Sequence, residues 1–303
     1  MKKILITGSN GLLGQKIIYN LLDRGNFEII ATAKGENRLK EKNGYEFVSL
    51  DITNCVAVAS VFEAHKPDVV INTAAMTNVD QCESEKEACW ELNVNAVKYL
   101  AQATEKHNSH LVHLSTDFVF DGENGPYSEG DEPNPLHYYA ESKLASERVL
   151  QDYDIKWSIV RTIIIYGIVD DMSRSNLVLW AKNSIENKQT INVVNDQYRS
   201  PTLAEDLAEG CILIAEKEEE GVFHLSGPET HCILDLVYMV ADYYDLDKSY
   251  IKPITSASLN QAAKRPPKTG FVIDKSRKIL GYNPVSFMEG IKILENQIKE
   301  KSK

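Results

Sequence analysis

The stretch Lys3-Ile4-Leu5-Ile6-Thr7-Gly8-Ser9-Asn10-Gly11-Leu12-Leu13-Gly14 decides the fold of this chain. Its first five residues form a short apolar run of strand character, and glycines follow at once. Beyond them Leu12, Leu13, Ile17, Ile18, Leu21 and Leu22 recur with helical spacing until Asp23-Arg24-Gly25 ends the pattern. Gly8, Gly11 and Gly14 permit a tight turn, close backbone approach to a pyrophosphate, and close packing of helix on strand. The helix N-terminus adds free N–H groups and the positive end of a dipole. Strand, turn and helix together predict a dinucleotide site, with Gly8, Asn10, Gly11, Leu12, Leu13 and Gly14 around the phosphates.

Working outward, apolar strand-like runs at 28–33, 46–50, 68–72, 110–115 and 157–162 alternate with helical patterns at 56–65, 85–107 and 138–150. This rhythm predicts a Rossmann-type, doubly wound parallel α/β sheet. Ligands bind beyond the carboxyl ends of such strands, which adds Ala74 and Ala75 to the cofactor edge. Asp51 and Ile52, after the third strand, are placed to flank the adenine. The second half is less regular and predicts a smaller C-terminal substrate-binding lobe. The expected division is a dinucleotide-binding domain at 1–165 with a return segment at about 196–225, and a lobe from 166–195 and 226–303.

A second block reads Ser115-Thr116-Asp117, a loop, then Tyr139-Ala140-Glu141-Ser142-Lys143. Tyr139 and Lys143, four apart on a helix, share one face. A free phenol ionises near pH about 10, and a neighbouring ammonium favours the phenolate. Bringing it to about 7 requires about 4 kcal/mol, which one close cation at an effective dielectric of about 20 can supply. The Thr116 hydroxyl can reach the same substrate oxygen. The pair alone is weak, since Tyr244 and Lys248 repeat it in an acidic run that reads as a solvated helix end. Its place downstream of the glycine turn gives it weight: one motif holds a nicotinamide cofactor, the other manages a proton at a carbonyl.

Composition narrows the partners. The 303 residues carry a net charge of -11, which disfavours nucleic acid as a ligand. No apolar run approaches the ~20 residues a membrane span requires. The five cysteines lack Cys-x2-Cys spacing and fit reduced thiols in the cytoplasm. His107, His110 and His113 recur at three-residue spacing, but strand alternation sends the last two to opposite faces, against a shared metal. A homodimer is compatible with the sequence and not specified by it.

These motifs resemble the extended short-chain dehydrogenases/reductases, and specifically the dTDP-4-dehydrorhamnose reductase branch. The resemblance runs through nearly the whole chain. It rests on Thr7-Gly8 to Gly14, on Asn72-Thr73-Ala74-Ala75-Met76-Thr77-Asn78-Val79-Asp80, and on Ser115 to Gly122. Tyr139 to Lys143, Asp196-Gln197-Tyr198-Arg199-Ser200-Pro201-Thr202 and Arg265-Pro266-Pro267 complete it. It implies reduction of the 4-keto group of a nucleotide-linked deoxysugar, with Thr116, Tyr139 and Lys143 as the triad. Lys143 would also hold the nicotinamide ribose, and Thr77 and Val79 would border the sugar. The chain departs from the branch at Phe118, where Tyr is usual, at Ile164, where Trp is usual, and at Met76, which replaces a common Tyr. These departures thin the aromatic and hydroxyl lining around the sugar.

After the second strand, Thr32-Ala33-Lys34-Gly35-Glu36-Asn37-Arg38 has no acid at its tip. Lys34 and Arg38 could reach a 2'-phosphate, so NADPH is the expected cofactor, with NADH possible. Arg199 and Arg265 are candidates for the substrate pyrophosphate, which a planar guanidinium matches. Three other functions share parts of this pattern. A 4,6-dehydratase would show Thr-Asp-Glu where this chain has Thr116-Asp117-Phe118. A 4-epimerase keeps the Tyr/Lys pair, and so does a non-catalytic regulatory subunit.

Overall fold

In the first strand, β1 (Lys2–Thr7), Ile4 and Ile6 enter one apolar cluster while Leu5 enters another. Successive side chains of a strand point to opposite faces, and here both faces are covered, so the run reads as continuously apolar. Each such fully buried aliphatic side chain contributes roughly 1.5–3 kcal/mol. The computed structural model describes residues 1–171 and 175–301. Its central sheet is built from β1, β2 (Phe27–Ala33), β3 (Glu46–Ser49), β4 (Val69–Asn72), β5 (His110–Thr116), β6 (Lys156–Thr162) and the strand Gly221–His224. All pairings are parallel, in the order Gly221–His224, β6, β5, β4, β1, β2, β3. The chain is thus a doubly wound α/β protein, as expected. Strand order reverses between β1 and β4, where Thr7 lies in register with both Thr32 and Asn72. A crevice opens beyond the strand ends at that reversal.

Helices cover both faces. On one, α1 (Leu12–Arg24) packs beside α8 (Ala204–Lys217), with Ile17, Ile18, Leu207 and Ile212 in the same cluster as Ile4. On the other, α2 (Cys55–His65) and α5 (Ala96–His107) bury Phe62 and Leu100 with Leu5 and Ile30. The helix α6 (Tyr138–Gln151) completes this face and carries Tyr139 and Lys143.

The segment predicted as one helix over 85–107 differs. It is resolved into α4 (Lys86–Trp90), a π turn at Glu91–Asn95 and α5, and a short helix α3 (Val79–Ser84) precedes it. The wider turn brings Asn93 inward, a recurrent use of π turns near functional sites. Its side chain accepts from Met76 N at 2.8 Å and donates to Ser142 Oγ at 3.0 Å. The loop after β4 is thereby tied to α6.

Further cores lie outside the sheet. Residues of α7 (Leu177–Glu186), α9 (Ile233–Tyr243) and α11 (Phe287–Lys301) form a cluster with Leu179, Val193, Leu236, Val240 and Ile291. Ile191–Val194 and Ile251–Ile254 pair in parallel there. A short helix, α10 (Asp274–Leu280), packs on α8. Among the described residues no helix is long and apolar enough to cross a membrane.

Candidate active site

The crevice at the strand reversal is a cavity of about 560 Å³. Gly8, Asn10, Gly11, Ala33, Lys34, Asp51, Ile52, Ala74 and Ala75 line it, which brings together most of the residues expected at the cofactor. Gly8 has φ +68°, and a Cβ there would sit 2.7 Å from Thr73 Oγ1 and 2.8 Å from Ala74 N. Glycine is required on both counts. A Cβ on Gly14 would press into the Gly8 carbonyl oxygen, so this glycine sets how closely α1 approaches the turn. No side chain caps α1 and no acid occupies its first turn. Leu12, Leu13 and Gly14 therefore present first-turn N–H groups that have no acceptor within the helix. Ala88, Glu91 and Leu92 also line the cavity. They were not anticipated, because the π turn that carries Glu91 and Leu92 leaves no mark in the helical spacing.

Asn10 clasps the loop after β2, donating to Glu36 O at 2.8 Å and accepting from Arg38 N at 2.9 Å. Lys34 Nζ lies 2.7 Å from Asp51 Oδ2, and that contact holds the Asp51 carboxyl below its ordinary range. Arg38 Nε stands 3.8 Å from Asp171. Lys34 thus lines the cavity beside the half-buried Asp51, and Arg38 lies next to Asn10 of that lining, beside the exposed Asp171. The glycine cradle, the uncapped helix and these two cations fit a dinucleotide carrying an extra phosphate.

Tyr139 and Lys143 lie one turn apart on α6, both buried, and Thr116 ends β5 opposite them. The Thr116 hydroxyl reaches the phenol, favouring its ionised form. Burial outweighs that contact, and Asp117, Cys82 and Cys89 add to it, so the phenol ionises well above its ordinary range. The expected lowering by Lys143 is therefore not the dominant effect in this state. Lys143 itself is pushed down to about 8, by burial first, with Glu147 opposing. Its Nζ lies 3.1 Å from His113 Nε2.

Around this group, Phe118 and Val79 pack on the cluster of Cys82, Cys89 and Tyr139. Thr77 lies exposed in the loop between β4 and α3. Ile164 packs against the sheet core at φ +29°, a strained value for a β-branched residue, and its carbonyl accepts from Thr202 N at 3.0 Å. His137 was missed in the sequence, although it stands where a cap for α6 belongs. Its Nδ1 accepts from Ala140 N at 3.2 Å, its ring stacks on Tyr139 and meets Phe118 edge-on, and Nε2 has no hydrogen-bond partner among the described residues.

Arg199 requires correction, and Arg265 is engaged by a carboxylate. Arg199 is buried and already engaged. It donates to the carbonyls of Tyr198, Pro266 and Pro267 at 2.7, 2.6 and 3.2 Å, and its Nε stands 3.7 Å from Asp117. A guanidinium so buried and engaged joins segments of the chain instead of facing a phosphate. Arg265 is held by Asp80 in a two-pronged ion pair at 2.7 and 2.6 Å. A phosphate would have to displace that carboxylate.

A family model described as "RmlD substrate binding domain" matches residues 1–299. The chain belongs to this family. It is 34% identical over 304 residues to dTDP-4-dehydrorhamnose reductase of Aggregatibacter actinomycetemcomitans, covering 96% of this chain and 98% of that one. It is 30% identical to methionine adenosyltransferase 2 subunit beta of Mus musculus, over 96% of this chain and 86% of the relative. Among solved structures, dTDP-4-dehydrorhamnose reductase from Bacillus anthracis in complex with NADP superimposes with a TM-score of 0.85. It is 27% identical, with 98% of this chain and 100% of that one covered.

Proposed function

We propose that this protein is an NADPH-dependent reductase of a nucleotide-linked 4-keto deoxysugar, of the dTDP-4-dehydrorhamnose type. The observation that carries the reading is the Tyr139 phenol and the Lys143 amine one turn apart on α6, with the Thr116 hydroxyl in reach of the phenol. When bound, the cofactor supplies the hydride. Tyr139 gives its proton to the substrate oxygen, and Thr116 donates a hydrogen bond to that oxygen as its charge grows. A phenol kept protonated by burial is suited to the donor role. The Lys143 ammonium steadies the phenolate that remains and reaches the ribose. Gly8, Asn10, Gly11 and the first turn of α1 hold the pyrophosphate, Lys34 and Arg38 the 2'-phosphate, and Asp51, Ile52, Ala74 and Ala75 the adenosine. Thr77, Val79, Phe118 and Ile164 border the sugar, and Arg265 takes its phosphates after release from Asp80.

The same proposal assigns cofactor binding to 1–165 with about 196–225, and substrate binding to the remaining lobe. It places the protein in the cytoplasm, where its five thiols, free in this structure, stay reduced.

The test is oxidation of NADPH by the purified protein with dTDP-4-dehydrorhamnose. Tyr139→Phe should lower kcat at least about 100-fold with NADPH affinity unchanged. Full activity in that variant would remove Tyr139 from the reaction. The likeness to a methionine adenosyltransferase subunit gives the alternative: NADPH bound tightly and no keto sugar turned over.

A further inference from the structure

His113, fully buried on β5, is a titratable group beside the reacting residues that the reaction above does not use. Its Nδ1 lies 2.9 Å from Asn72 Nδ2, and its Nε2 lies 2.9 Å from Ser146 Oγ and 3.1 Å from Lys143 Nζ. Asn72 takes the Thr7 hydroxyl on Oδ1 at 2.5 Å, at the end of the strand that leads into Gly8. His113 and Ser115, two apart on β5, both reach α6, the second at Glu147. His110, three residues away, turns to the other face and meets Ser158 Oγ at 2.7 Å.

Little else near Lys143 can hold a cation. Glu147, one turn along, favours the ammonium, but Arg161 grips that carboxylate at 3.0 and 2.7 Å. Cys89 acts in the same direction, yet it is a buried thiol. Tyr139 is kept neutral by burial. His113 is kept neutral too, by burial first and then by the lysine's own charge. A neutral imidazole offers one lone pair, which favours the ammonium it meets.

We propose that His113 is a positioning residue for Lys143, holding the Nζ through the Nε2 lone pair and helping to keep it protonated. With the lysine charged, Nδ1 carries the ring hydrogen and faces the Asn72 amide oxygen, while the amide nitrogen turns to the Thr7 hydroxyl. With the lysine neutral, the arrangement in this structure, Nε2 carries the hydrogen and donates to Ser146, whose hydroxyl donates to the Lys143 carbonyl at 2.6 Å, and the amide nitrogen faces Nδ1. Between these arrangements Lys143 gives a proton to Nε2 and Nδ1 releases one to solvent, so one proton leaves the pair. The strand end beneath the glycine turn and the lysine of α6 thus share one proton-ordered chain.

The experiment is an NMR titration of the Lys143 ε-carbon and the His113 ring nitrogens in the full cofactor-free protein, labelled in lysine and histidine. The His113 nitrogens should exchange protonated and unprotonated roles at the midpoint of the Lys143 titration. His113→Phe should lower that midpoint by about one pH unit. His113→Gln, whose side-chain oxygen can accept near the place of Nε2, should restore it. Asn72→Leu, which leaves the ring but removes its partner, should lower it as well and serves if His113→Phe does not fold. An unmoved midpoint in the folded variants overturns the proposal. The inference rests on the reductase reading only for its consequence, because the titration needs no substrate. Absence of keto-sugar turnover by the wild type would defeat that reading and leave the lysine shift standing.

Discussion

At Lys143 burial opposes charge, and the sign of that opposition can be measured. The lysine falls from 10.5 to about 8, a penalty of about 3 kcal/mol on its charged form in the fold. Below about pH 8 both folded and unfolded chains carry the proton, and the folded state bears the whole penalty. Between about 8 and 10.5 the unfolded chain binds more protons, so stability contributed by this group rises with pH. Lys143→Met should therefore gain about 1–3 kcal/mol at pH 7, with the gain fading by about pH 10, while turnover is lost. Urea denaturation at both pH values checks this, and a variant less stable than the wild type at pH 7 would show the ammonium to be stabilising. At the cofactor rim, Lys34→Ala with Arg38→Ala should weaken NADPH binding about tenfold or more and leave NADH binding unchanged. Equal loss for both cofactors in a binding titration would remove the 2'-phosphate role. The residue types at this site were legible because Tyr-x3-Lys and Thr116 sit at fixed offsets. The proton energetics were not, since burial of Tyr139 and the contact of Lys143 with His113 depend on packing between β5 and α6.

Among the elements, the entry into α1 is where sequence and structure agree most closely. Its glycines are demanded by the backbone: a positive φ at Gly8 and a close approach at Gly14. Gly14→Ala should push α1 away from the Gly8 carbonyl, lowering NADPH affinity by about tenfold or more and costing about 1–3 kcal/mol of stability. Calorimetric binding together with thermal unfolding would show it, and a variant matching the wild type in both would mean that helix and strand can part without consequence. The βα rhythm was legible for a related reason. Strands buried on both faces read as unbroken apolar runs, while the helices show a period near 3.6. The π turn at Glu91–Asn95 escaped because it inserts one residue into an otherwise helical pattern and leaves the period almost unchanged. Asn93 shows that the insertion matters, since it turns an amide toward Met76 and Ser142.

For the whole molecule, Arg199 shows what a single chain of letters conceals. Its planar guanidinium suggested a phosphate ligand, but its partners come from distant parts of the sequence: Asp117 after β5 and the carbonyls of Pro266 and Pro267. Thr269 also hydrogen-bonds Asp117, so the end of β5 and the 266–269 segment are joined through one buried carboxylate. Burial raises the pKa of Asp117 and lowers that of Arg199, so each group depends on the other to stay charged. Removing one partner of such a pair leaves an uncompensated buried charge and three carbonyls without their donor. Arg199→Ala should therefore destabilise the protein by about 3–5 kcal/mol. Arg199→Lys should recover little of it, since an ammonium cannot spread donors over that fan of oxygens. Arg199→Met combined with Asp117→Asn should recover more, because the stranded carboxylate is gone. A surface ligand for phosphate predicts the opposite pattern, an unchanged Tm with a raised KM for the nucleotide sugar. Thermal unfolding of the three variants beside their steady-state kinetics separates the two, and a stable Arg199→Ala with weakened substrate binding would return this residue to the substrate site.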